Sequence, residues 1–157
     1  AASSTRCCDA WQRASMDALA VQDMILKLFW HADRREWDEL RKCFGHRLLA
    51  DYSSITGRPA KEIDPADQIA MWKPLLGGFD ATQHLLSAIR VESTEESATA
   101  YAQFQAQHTL GNEFWMLGGS YEFGLERVNH GWCVTRMVVT KLWELGDTSL
   151  PARVLGN

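Results

Sequence analysis

ATAYAQFQAQHTL, Ala98–Leu110, is the stretch that decides the fold class. Ala100, Ala102, Phe104, Ala106, His108 and Leu110 alternate with Gln103, Gln105 and Gln107. That period of two belongs to a strand with one face on a core and the other in water. The dry face carries a single histidine, His108. Three flanking stretches also read as strands, Thr82–Val91, Phe114–Arg127 and Trp132–Trp143, separated by polar or glycine-containing turns. Phe114–Arg127 sends Trp115, Leu117, Tyr121, Phe123 and Leu125 one way, and its Gly118 and Gly124 mark a bend or bulge.

The chain before this run is mostly helical. Val21, Met24, Ile25, Leu28, Phe29 and Ala32 recur at helical spacing and form one apolar stripe from Asp17 to Asp33. A short helix over Arg35–Phe44 follows, then a strand at Leu48–Ser54 that places Leu48, Ala50 and Tyr52 on one face. Asp64, Pro65 and Asp67 form a helix-start signature, and the helix they open ends at Gly77-Gly78, with Pro74 shortening or bending its last turn. Helices first, then one strand, a helix and a run of antiparallel strands predict an α+β domain in which a curved sheet wraps helices. A curved sheet closed by a helix makes a cavity.

The 157 residues fit one domain, read as residues 14–146 between tails at 1–13 and 147–157. The net charge of -4, with acids and bases mixed, gives no footprint for nucleic acid. Apolar runs fall far short of the ~20 residues that span a bilayer. Cys7, Cys8, Cys43 and Cys133 lack metal-ligand spacing and read as reduced thiols, which suggests a cytoplasmic protein. Seven tryptophans either fill a core or line an apolar cavity. No phosphate-binding glycine motif, nucleophile elbow or metal-ligand pattern is present, so neither cofactor nor metal is expected.

Among residues that could do chemistry, Asp33 closes the first long helix and His84 opens a strand. A carboxylate that fixes the tautomer of a histidine and stabilises its imidazolium makes a competent general base. Spacing does not bring the two together, and on pattern alone an exposed helix-end aspartate and a backbone-bonded core histidine are the simpler assignment. His108 is either a satisfied core histidine or a pocket donor. The phenol of Tyr52 either holds a carbonyl or water or packs at the sheet edge. His31, His46 and His130 stand in polar or turn contexts, and Glu122 and Arg136 read as solvated or ion-paired.

WHADRREWDELRK (30–42), ADYSS (50–54), ATQHLL (81–86), the histidine after FQAQ and HGW (130–132) together resemble the SnoaL-like branch of the nuclear-transport-factor-2-like superfamily, and within it the scytalone dehydratases. The resemblance spans about Ala14 to Gly146. It implies a cone-shaped barrel with a deep pocket, Asp33 and His84 as a catalytic dyad, and Tyr52 with His108 polarising a carbonyl or helping hydroxide depart. The reaction implied is a cofactor-independent elimination of water from a small apolar cyclic or polyketide-like molecule, with Trp30, Trp72, Phe104 and Tyr121 as substrate contacts. Isomerisation, cyclisation or non-catalytic binding on the same pocket are the alternatives. Ala32 stands where the dehydratases have a second tyrosine, Gly119 and Tyr121 fall near their serine and asparagine contacts, and Leu28 replaces a basic residue of the related dehydrochlorinases. Family members commonly associate through the outer sheet face, so a homo-oligomer, a dimer or trimer, is expected, with Trp132, Val134 and Val138 as a possible face.

Overall fold

A computed structural model describes residues 2–129 and 131–156, with side chains from residue 12 onward. His130 and the side chains of Cys7 and Cys8 lie outside that description. The apolar stripe of the first helix is the organising element: α1 (Ala2–Asp33) buries Val21, Ile25, Leu28, Phe29 and Ala32 against the sheet. The helix starts at Ala2, where the sequence reading has a tail. After it come α2 (Trp37–Lys42), β1 (Phe44–Asp51), α3 (Ser53–Thr56), β2 (Lys61–Ile63) and α4 (Pro65–Gly77). Four long strands follow, β3 (Ala81–Ser93), β4 (Ser97–Leu110), β5 (Glu113–Val128) and β6 (Gly131–Gly146). A short α5 (Leu150–Val154) closes the chain and buries Leu150, so part of the expected C-terminal tail belongs to the core.

The six strands form one mixed sheet in the order β2-β1-β6-β5-β4-β3, in which only the β1–β6 pair is parallel. The sheet is curved and open, with β2 and β3 as its edges, which corrects the expectation of a closed barrel. Its curvature comes from sequence features. Opposite Gly118-Gly119 the register of β6 slips past Leu142, and opposite Gly124-Leu125 it slips past Thr135. Each extra residue bends its strand and increases local twist.

The alternation of β4 is realised in full. Ala98, Ala100, Ala102, Phe104, Ala106 and His108 are buried, while Gln103, Gln105 and Gln107 face water. The small alanines leave room above the sheet for α1 and for a cavity. Asp64 caps α4 as its position suggests: its Oδ1 accepts the Ala66 N–H at 2.8 Å, and Pro65 begins the first turn. Trp132 and Val134 are buried in the monomer, Trp132 beneath the Arg127 guanidinium at 4.3 Å, so they do not form the outer face suggested for association.

Candidate active site

Asp33 is the last residue of α1, and the turn after it is tightly specified. His31 Nδ1 lies 2.7 Å from Glu36 Oε2 across that turn, Arg35 takes a left-handed φ of 58°, and Arg35 Nη2 donates to the carbonyl of Leu76 at 3.1 Å and to that of Phe79. The guanidinium therefore clips the end of α1 to the end of α4. Arg35 is a positioning residue that sequence reasoning missed, because nothing in RREW distinguishes it from a solvated arginine.

The clip sets Asp33 beside β3. As an edge strand, β3 leaves backbone N–H groups on its outer side without a strand partner. The N–H of His84 donates to Asp33 Oδ2 at 2.7 Å, the ring Nδ1 of His84 lies 2.7 Å from Asp33 Oδ1, and the Thr82 hydroxyl donates to Oδ1 at 2.9 Å. Thr82 and His84 are two apart on one strand face, so a single carboxylate reaches both. Burial alone would raise the pKa of Asp33; the hydrogen bond and charge of His84, helped by Thr82, outweigh it and hold the carboxyl below its ordinary value. A carboxylate oxygen can only accept, so Nδ1 carries the proton, and in the neutral ring Nε2 of His84 keeps its lone pair. The two side chains are 17 % and 10 % exposed, shielded but not sealed.

His84 lines a cavity of about 480 Å3, within the ~300–1,000 Å3 typical of small-molecule sites. Phe29 stacks on His84 at 5.0 Å, and Phe29, Tyr121 and Phe104 form a contiguous aromatic wall. His108 stands edge-on to His84 with ring centroids 5.7 Å apart. It is 3 % exposed, and its Nδ1 donates to the Trp115 carbonyl at 3.3 Å, so its Nε2 is also an acceptor. Burial, then the proximity of His84, lowers the pKa of His108 to about 4 and keeps it neutral.

Tyr52 follows β1 and caps α3 instead of lying within a strand. It is fixed from both sides, by Asp51 Oδ1 accepting the Ser53 N–H at 2.9 Å and by Ser54 Oγ accepting the Lys141 N–H at 2.8 Å. Its hydroxyl is buried without a hydrogen-bond partner among the described residues. Burial, then Tyr121, raises its pKa, so the phenol stays protonated, with the Trp72 indole acting in the opposite sense.

Of the expected pocket residues, Trp72, Phe104 and Tyr121 line the cavity and Trp30 does not. Trp30 is 61 % exposed on the outer side of α1, with the Arg34 guanidinium 5.2 Å from its ring. One residue step along a helix turns a side chain about 100°, which carries Trp30 away from the face that Phe29 presents. Ala32 faces the cavity, so the missing tyrosine becomes open volume, and Leu28 is fully buried in the core. Gln68 on the α4 wall is a cavity residue the sequence reading omitted. Its signal was available: with Pro65, Ile69, Trp72 and Leu76 it falls on the one apolar stripe of α4, where a glutamine is out of place.

A family model described as a SnoaL-like domain matches residues 13–138. The chain belongs to the SnoaL-like domain family. Solved structures agree with this SnoaL-like domain in fold. Kfla4162 from Kribbella flavida superposes with a TM-score of 0.82 at 25% identity, covering 89% of this chain and 99% of its own. A protein from Novosphingobium aromaticivorans provisionally named a scytalone dehydratase gives 0.75 at 18% identity, covering 84% and 88%. The LinA-type3 hexachlorocyclohexane dehydrochlorinase of Novosphingobium barchaimii gives 0.71 at 14% identity, covering 89% and 94%. No curated protein matches the SnoaL-like sequence significantly.

Proposed function

We propose that the protein is a cofactor-independent lyase of the dehydratase type, removing water from a small, largely apolar cyclic ketone of polyketide-like character. The observation that carries the reading is the 2.7 Å contact of His84 Nδ1 with Asp33 in a residue that also lines the cavity. Nε2 of His84 takes a proton from the carbon next to the carbonyl, and Asp33 stabilises the imidazolium. The C–H electrons form the new C=C bond, the C–O bond at the adjacent carbon breaks, and the proton leaves with the hydroxide as water. The enolate that develops needs a donor. With the Nδ1–H of His108 engaged by Trp115, Tyr52 is a neutral donor suited to the carbonyl oxygen, and His108 Nε2 accepts from a substrate hydroxyl. The SnoaL-like family and structural neighbours whose names include a dehydratase and a dehydrochlorinase support elimination chemistry. Two buried free thiols, Cys43 and Cys133, suit a reducing, cytoplasmic setting.

A panel of cyclic β-hydroxy ketones incubated with wild type, His84→Ala and Asp33→Asn tests the reading. A turned-over ketone should lose on the order of 100-fold or more in rate with His84→Ala. Equal rates for wild type and His84→Ala would remove the dyad from the mechanism. Product analysis separates water loss from double-bond migration or ring closure, which the same base would serve.

A further inference from the structure

The cavity has a polar feature that the dyad chemistry does not use. Gln68 is 1 % exposed, lines the cavity from α4, and its Oε1 has no hydrogen-bond partner among the described residues. Trp72, one turn further along the same helix face, also lines the cavity and neighbours Tyr52. A buried amide oxygen without a partner is unfavourable, and a glutamine kept on an otherwise apolar helix stripe calls for a partner from outside the protein. The other lining groups restrict what that partner can be. Among the described residues, no lysine, arginine, aspartate or glutamate lines the cavity, so an anionic or cationic ligand group would be desolvated there without a countercharge. A hydroxyl meets the requirement: it donates to an amide oxygen, accepts from an amide N–H if the amide is turned, and carries no charge.

We infer that Gln68 is a specificity-determining residue, which selects neutral ring ligands bearing a hydroxyl group over their deoxy and carboxylate counterparts. The inference rests on the cavity being the substrate site proposed above, but not on the dyad being catalytic.

Binding is measured by calorimetry with indan-1-one, its ring-hydroxylated isomers and a ring carboxylate, using wild type, Gln68→Leu, Gln68→Met and His84→Ala. At least one hydroxylated isomer should bind wild type about tenfold more tightly than indan-1-one, with the carboxylate weakest. Gln68→Leu and Gln68→Met should erase that margin while leaving indan-1-one binding equal or tighter, and His84→Ala should keep it. The ligand-free Gln68→Leu protein should melt no lower than wild type, since the Oε1 it loses has no hydrogen-bond partner among the described residues; a marked fall would assign Gln68 a structural role and overturn the inference. A margin that persists in both Gln68 variants, or no margin for any hydroxylated isomer in wild type, including no binding at all, would also overturn it. Loss of turnover in His84→Ala is read separately and bears only on the dyad.

Discussion

Asp33 concentrates the logic of the site in one side chain. It accepts from the His84 ring, the His84 backbone and Thr82, so its ionised form is held by three donors despite its burial. Thr82→Val keeps the side-chain volume and removes one donor. The Asp33 carboxyl pKa should then rise toward its ordinary value, which carbon-detected NMR titration reads directly, and turnover should fall by about tenfold as the orientation of His84 loosens. An unchanged carboxyl titration would show that Thr82 contributes nothing to the charge on Asp33. His108 makes the complementary point. Its chemical type suggests a donor to substrate, but the Trp115 carbonyl takes the one N–H that the neutral ring offers. Gln68 and Arg35 were legible only weakly as residues, the first as a polar intruder on an apolar stripe and the second not at all.

Elements convert those side chains into a pocket. The period of two in β4 and the helical stripe in α1 were readable because burial of one face dictates them. What could not be read was that β3 lies at a sheet edge beside the end of α1, which depends on strand order and not on any pattern within β3. The glycines of β5 were readable as a bend, and the structure supplies the reason: a Cβ at Gly119 would lie 1.9 Å from the Thr140 carbonyl oxygen, inside the bulge made by Leu142. Gly119→Ala should therefore destabilise the domain by roughly 1–3 kcal/mol or more, measured as a lowered midpoint in urea, because the contact is with backbone that cannot swing aside. A midpoint equal to wild type would mean that the β5–β6 bulge relaxes freely. Tyr52 shows the opposite case. The alternation of Leu48 and Ala50 extends the strand on paper, but Asp51 captures the Ser53 N–H and turns the chain into α3, and Tyr52 at that turn joins the cavity wall.

For the whole molecule, the buried neutral His108 links folding to pH. Its pKa falls from the ordinary 6.5 to about 4 in the fold, so on acidification the unfolded chain binds a proton before the folded one does. Stability should be intact above about pH 6.5, fall between pH 6.5 and 4, and lose on the order of 3 kcal/mol from this group by the end of that window. Asp33, with its folded pKa held low, adds a further loss of the same sign below about pH 4. Urea titrations at pH 7, 5.5 and 4.5 should show the first fall in wild type and a flatter profile in His108→Gln. Parallel profiles would assign the acid sensitivity to other groups.

Periodicity by itself determined the α+β class, the long first helix, the capped start of α4, the four long strands and the buried face that holds His108, because each is a local pattern enforced by burial or by backbone capping. Residue types supplied Asp33 and His84 as candidates without joining them. Only the tertiary structure decided that they meet, that the sheet stays open, that Trp30 faces water and that Gln68 faces the cavity. Those outcomes depend on which strand forms an edge and on how the ends of α1 and α4 are clipped together by Arg35, contacts between residues far apart in the chain that no local spacing encodes.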